Sequence, residues 1–178
     1  RSRPLADLVA GIAPVGPGAE RPVTGLCEDS RQVAPGDLFL ARTGSRRDGR
    51  DYVADALDRG AAAVLMGGAG PHLELVAGTP VIRVADFATA AGTVAHRFHD
   101  APSSRMWVAG VTGTNGKTSV SRLAAHALSR GGRPCGVMGT LGHGLYGAEE
   151  PAAHTTPGLV AVHRTLAALA GAGAAHTV

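Results

Sequence analysis

The sequence predicts an α/β protein built as two successive units, and three observations carry that expectation. Short apolar runs alternate with amphipathic stretches through the first hundred residues. Asp100-Ala101-Pro102-Ser103-Ser104-Arg105 then collects turn formers, and a second strand–turn–helix series begins at Met106. The first unit, residues 1–100, reads as a small α/β domain. The second, residues 101–178, reads as the first part of a parallel sheet flanked by helices.

In the first unit, Gly36 to Ala41 (GDLFLA) is an apolar run of strand length, and Asp51 to Arg59 places its apolar residues at helical spacing. Gly60 stands where a helix C-cap needs a positive φ, and Ala61 to Met66 is the next strand. Pro80 to Val84 is another strand, after which Asp86 is placed to cap a helix over Phe87 to Phe98. In the second unit, Met106 to Val111 reads as a strand and Lys117 to Ser129 as a helix, which Arg130-Gly131-Gly132-Arg133-Pro134 stops. Cys135 to Met138 is a second strand, Leu159 to Ala170 a second helix and Ala174 to Val178 a third strand. Parallel sheets of this kind are covered on both faces and usually hold five or more strands, so the second unit is expected to be cut short.

Composition narrows the function classes. An apolar content of 44% suits a chain that buries a core. The formal charge of +3 sits on single and paired arginines, and three Phe, two Tyr and one Trp offer no stacking surface for single-stranded nucleic acid, so no nucleic-acid partner is expected. Cys27 and Cys135 lack any metal-ligand spacing, which points to a reducing, cytoplasmic setting. No segment approaches the ~18 uninterrupted apolar residues of a membrane span, and a monomer without membrane insertion is expected. His96 and His99, three apart in one expected helix, have no suitably spaced third ligand, and His126 reads as a packing residue.

The strongest local signal is Gly113-Thr114-Asn115-Gly116-Lys117-Thr118, set between an expected strand and an expected helix. The glycines let the backbone turn tightly so that successive N–H groups converge on phosphate oxygens, and the helix start adds unpaired N–H groups and its positive dipole end. Lys117 can then reach the β- and γ-phosphates of ATP, and the Thr118 hydroxyl can ligate Mg²⁺. The turn departs from the common G-x-x-x-x-G-K-[ST] pattern, because Val111 stands five residues before Gly116. Lys117 is the only lysine among seventeen basic residues, and a compact ammonium at this one position is what phosphate coordination asks for.

This G-T-N-G-K-T turn resembles the ATP-binding turn of the Mur ligases and of the folylpolyglutamate synthetases. Other stretches separate the two: Asp29-Ser30-Arg31, Val33-x-Pro35-Gly36-Asp37-Leu38-Phe39, Asp48-Gly49 and Tyr52-Val53-x-x-Ala56 resemble the UDP-binding N-terminal domain of the Mur ligases. Gly139-Thr140-Leu141-Gly142 and Thr155-Thr156-Pro157 resemble the MurE branch, the UDP-MurNAc-tripeptide synthetases. Read from the residues alone, the Asp29-Ser30-Arg31 turn could grip a uracil or pyrophosphate or could be a surface ion pair. Likewise Gly44 to Gly49 could offer Arg46 and Arg47 to a diphosphate or be a solvated loop.

The resemblance implies a small UDP-muramoyl-peptide-binding domain over 1–100 and a truncated P-loop, parallel-sheet ATPase domain over 101–178. It implies that Gly113, Thr114, Asn115, Gly116, Lys117, Thr118 and Ser119 bind ATP, with Lys117 catalytic and Thr118 on Mg²⁺. Glu28, Ser30, Ser45, Arg46 and Arg47 would meet the UDP-muramoyl part, and His154, Thr155 and Thr156 the muramoyl-peptide end. MurE commonly has Asn where His154 stands, and often Thr or His where Ser45 stands. The implied reaction adds an amino acid, left unnamed by the sequence, to UDP-MurNAc-L-Ala-D-Glu through an acyl phosphate. Readings from other classes are a non-catalytic nucleotide- or UDP-sugar-binding module, a MurE-like ligase of a specialised pathway and a P-loop small-molecule kinase, which leaves the first hundred residues unexplained.

Overall fold

The computed structural model describes residues 1–44, 48–151 and 157–178. They form two compact units, Arg1–Phe98 and His99–Val178. Among the described residues no helix is long and apolar enough to cross a membrane.

The first unit runs β1 (Arg3–Pro4), α1 (Leu5–Val9), β2 (Pro22–Val23), β3 (Gly25–Cys27), β4 (Asp37–Ala41), α2 (Val53–Asp58), β5 (Ala63–Gly67), β6 (His72–Val76), β7 (Thr79–Val84) and α3 (Phe87–Phe98). Strands β1 and β2 make a separate antiparallel pair, and the main sheet has the order β3-β4-β5-β7-β6. Its first three pairings are parallel and β6 joins β7 antiparallel. Phe39, Ala41, Val64 and Met66 face one side with Ala56 of α2 and with Val53 and Leu57 against them. The pleat sends the alternate residues Leu38, Leu40 and Leu65 to the opposite face, where α3 packs on β5 and α1 on α3.

Helix α2 is shorter than its apolar spacing predicts. A single 3₁₀ turn, Gly49–Tyr52, precedes it, because the Asp48 carboxylate accepts the Arg50 N–H and tightens the entry. At the other end Gly60 has φ +88°, the Gly60 N–H donates to Leu57 O and the Ala61 N–H to Ala56 O, which is the Schellman arrangement expected at that glycine. Helix α3 has the predicted bounds, and the Asp86 carboxylate accepts the Thr89 N–H at 3.1 Å. Because α3 ends at Phe98, His96 and His99 do not share a helix, a correction to their sequence reading.

The second unit runs β8 (Trp107–Val108), α4 (Lys117–Ser129), β9 (Cys135–Gly139), β10 (Gly142–Leu145), β11 (Ala148–Glu150), α5 (Leu159–Gly171) and β12 (His176–Thr177). The order is β11-β10-β9-β12-β8, with β12 parallel to both β8 and β9. The sheet is therefore mixed rather than parallel throughout, since β9, β10 and β11 form an antiparallel meander. Helices cover both faces: Ala125 of α4 packs with Cys135, Val137 and Val178, and Leu166 and Leu169 of α5 pack with Met106 and Ala174.

Candidate active site

The turn after β8 is shaped by its glycines. Gly113 has φ +147° and Gly116 φ +77°, backbone states that L side chains rarely adopt. A Cβ at Gly116 would meet nothing within 4 Å, so conformation rather than space demands glycine there. Gly116 is the N-cap of α4 and its carbonyl accepts the Val120 N–H at 2.9 Å, but it has no side chain with which to cap the first-turn amides. Those N–H groups stand exposed at the positive end of the helix dipole, as an anion site requires. The Lys117 ammonium folds back over the turn, with Nζ donating to Gly113 O at 2.6 Å and to Thr114 O at 3.4 Å.

Beside the turn lies a cavity of about 370 Å³, at the C-terminal ends of β8, β12 and β9. Open α/β sheets bind their ligands at these strand ends. Lys117, Thr118, Ser121 and Arg122 of α4 line one wall, and Thr140 and Glu149 line the other. The Thr118 and Thr140 hydroxyl oxygens are 3.5 Å apart. The Ser121 hydroxyl donates to Thr118 O at 3.1 Å, and Arg122 Nη1 donates to Glu149 Oε1 at 3.0 Å. Of the turn residues singled out by the sequence, Lys117 and Thr118 line this cavity, while Ser119 is exposed on the first turn of α4. Ser121, Arg122 and Glu149 were not singled out, and Thr140 entered only as part of the Gly139-Thr140-Leu141-Gly142 stretch. The spacing of Ser121 and Arg122, three and four residues after Thr118, is a signal that places both on the cavity face of the helix.

His126 is exposed rather than packed in a core. Its ring meets Tyr146 edge-on at 5.8 Å between centroids, with the Tyr146 hydroxyl 3.5 Å from Nδ1.

In the first unit, two turns follow the C-terminal ends of the adjacent parallel strands β3 and β4. In the first turn the Asp29 carboxylate accepts the Arg31 N–H at 3.1 Å and its guanidinium at 2.9 and 2.7 Å. The ion-pair alternative for Asp29 and Arg31 is thus realised, with the arginine side chain 74% exposed. Ser30 between them is only 5% exposed, and Glu28 is half-buried. Beyond β4, Thr43 and Asp48 form an isolated antiparallel bridge. The Asp48 carboxylate binds the Arg50 guanidinium, whose hydrogen bond lowers the Asp48 pKa from its ordinary 3.8 to about 2. A Cβ at Gly49 would lie 2.6 Å from Arg42 O, so the close backbone approach at this position requires glycine. Ser45, Arg46 and Arg47, with His154, Thr155 and Thr156, lie outside the described residues.

Comparison with known proteins agrees with this architecture. Residues 22–103 match the model of the Mur ligase family, catalytic domain, and residues 111–178 match the Mur ligase middle domain. The chain is 51% identical over 160 residues to a UDP-N-acetylmuramoyl-L-alanyl-D-glutamate–2,6-diaminopimelate ligase of Pseudomonas aeruginosa, covering 89% of this chain and 33% of the relative. It is 41% identical over 152 residues to the Coxiella burnetii protein of the same name, covering 85% of this chain and 31% of the relative. A solved structure of a ligase of that name superposes with a TM-score of 0.75 at 27% identity, over 99% of this chain and 35% of that one. MurF from Acinetobacter baumannii shares the fold, with a TM-score of 0.63 at 20% identity over 100% of this chain and 35% of that one. The chain spans about a third of the length of the curated relatives it matches. With most of its residues inside these two matches, the chain belongs to the Mur ligase family.

Proposed function

We propose that this chain provides the UDP-muramoyl-peptide-binding and ATP-binding units of an ATP-dependent ligase that extends UDP-MurNAc-L-Ala-D-Glu in peptidoglycan precursor synthesis. The amino acid added is 2,6-diaminopimelate, the one in the names of its relatives. The observation that carries the reading is the Gly113–Thr118 turn, with its exposed helix-start amides and the Lys117 ammonium beside a cavity at the strand ends.

In the reaction so assigned, the D-Glu carboxylate oxygen bonds to the γ-phosphorus of ATP as ADP leaves. The amine then bonds to the acyl carbon, and inorganic phosphate departs with the carboxylate oxygen. Gly113 to Ser119 hold the triphosphate, the α4 amides and Lys117 offset charge on its transferring group, and the cavity walls limit water. The Thr118 and Thr140 hydroxyls, facing each other at the cavity, are oxygen donors of the kind Mg²⁺ takes beside nucleotide phosphates, and that ion would neutralise the developing charge. Glu28, Ser30 and the loop Ser45 to Arg47 are assigned to the UDP-muramoyl part, and His154, Thr155 and Thr156 to the peptide end. A cytoplasmic, monomeric enzyme is the accompanying expectation.

Lys117→Ala in the complete polypeptide that carries this chain tests the assignment. Because the ammonium meets the γ-phosphate most strongly as it transfers, kcat should fall about 10²–10³-fold. The affinity for UDP-MurNAc-dipeptide should change less than about threefold, under ~0.7 kcal/mol. Lys117→Arg should restore little, since a planar guanidinium does not replace a compact ammonium in a tight turn. Steady-state kinetics beside direct binding give the result, and near-normal turnover by Lys117→Ala would remove the turn as the ATP site.

A further inference from the structure

Among the described residues, strand β11 is the edge of its sheet and hydrogen-bonds through its backbone to β10 alone. Its distance from α4 is therefore set by side chains. Arg122 Nη1 reaches Glu149 Oε1 at 3.0 Å, and the Glu149 side chain is only 14% exposed. The other Glu149 oxygen, Oε2, accepts the Gly147 N–H at 3.2 Å and so closes the β10–β11 turn on itself. The Arg122 guanidinium also lies 5.4 Å from the centre of the Tyr146 ring, in the same turn. Both members of the ion pair line the cavity, on opposite walls. Arg122 stands four residues after Thr118, directly below it on the same helix face.

We propose that Arg122 and Glu149 are a positioning pair that sets the width of the nucleotide cleft, holding the β9–β10 corner that carries Thr140 opposite the Thr118 end of α4. This rests on the assignment of the Gly113–Thr118 turn to ATP. Neither residue needs to touch the nucleotide. With the pair broken, β10 and β11 keep their backbone ladder but lose the tie that fixes them to α4, and the wall facing the phosphates is free to shift.

Calorimetric ATP binding to the complete polypeptide is the test, with UDP-MurNAc-dipeptide binding and thermal melting measured alongside. Arg122→Met and Glu149→Gln should each weaken ATP binding about 2–5-fold, the range of a partly exposed ion pair, and leave the dipeptide affinity within about twofold. The doubly exchanged Arg122→Glu/Glu149→Arg protein should recover toward wild type, which a mere loss of packing does not allow. An ATP affinity unchanged in both single variants overturns the positioning role, as does an exchanged pair no better than the singles, or a parallel fall of both ligand affinities with the melting temperature. Those outcomes leave the ATP site standing, because wild-type binding is intact in each. Absence of ATP binding by the wild-type protein removes the site itself and the pair's role with it.

Discussion

Asp48 combines three jobs in one side chain: it caps the turn that leads into α2, binds the Arg50 guanidinium and accepts the Thr43 hydroxyl. The hydrogen bonds from Arg50 favour its ionised form, which puts its pKa at about 2. A carboxylate lowered in this way contributes stability that is present above its ordinary pKa of 3.8 and is lost as pH falls through about 2. Carboxyl-carbon NMR should show Asp48 titrating near pH 2 in the wild type and moving up toward 3.8 in Arg50→Ala. A wild-type midpoint already at the ordinary value would show that the Arg50 contact does not persist in solution. Legibility at this scale followed chemical uniqueness. Lys117 was readable because it is the one lysine in an arginine-rich chain. Thr140 and Glu149 become neighbours of Thr118 and Arg122 only when the meander folds back on α4, and the helical spacing of Arg122 from Thr118, the one local signal, names no partner across the cavity. The Asp29–Arg31 contact lies at the other limit: the tripeptide allowed an ion pair, which the coordinates show, and a UDP-binding turn, which a binding measurement on the first unit tests.

At the scale of elements, the helices whose ends carry chemical punctuation came out with the expected bounds. Helix α3 has Asp86 at its start, and α4 lies between Gly116 and the Arg130–Pro134 stop. Among the missed elements, β10 has its strand character masked by small residues. Gly142 and Gly144 in β10 and Gly147 in the turn to β11 have positive φ, and a Cβ on Gly144 would come within 2.9 Å of Ala148 O in the facing strand. Strand β6 turns into β7 through Ala77 and Gly78, both at positive φ, a two-residue hairpin turn whose alanine gave no warning in the sequence. The same contacts predict opposite signs for two glycine substitutions. A Cβ at Gly136 in β9 would lie 2.7 Å from Leu169 Cδ1 of α5 and 2.8 Å from Thr177 Oγ1 of β12, so Gly136→Ala should destabilise the second unit by about 1–3 kcal/mol. Gly92 sits inside α3 with nothing within 4 Å of a Cβ, so Gly92→Ala should stabilise the first unit by about 0.5–1 kcal/mol. Urea unfolding of the two variants checks the pair, and a neutral Gly136→Ala would mean that α5 does not hold this close to the sheet.

For the whole molecule, the contacts divide the chain between Phe98 and His99, just before the turn formers at residues 100–105, and the units differ in which large side chains they bury. The largest fully buried side chains, among them Phe39, Leu38, Leu40, Leu65 and Ile82, all belong to Arg1–Phe98. The second unit exposes Trp107, Val108, Val120, Leu123 and Leu141, and the first exposes Val15, Leu75 and Val76. A segment of nearly a hundred residues with a closed two-faced core is above the size at which small domains fold unaided. Arg1–Phe98 expressed alone is therefore expected to unfold in one cooperative step. His99–Val178 alone should self-associate, through its exposed apolar residues and the open edge of β8. If the β3 and β4 turns hold the UDP-muramoyl part by themselves, the isolated first unit should also bind UDP-MurNAc-dipeptide with an affinity within about threefold of the complete polypeptide, a difference of under ~0.7 kcal/mol. Calorimetry with the dipeptide and with UMP, beside NMR shifts around the buried Ser30, measures this. A folded segment that gives neither heat nor shifts at millimolar ligand would move UDP recognition out of the first unit, while leaving the Lys117 turn and its test untouched.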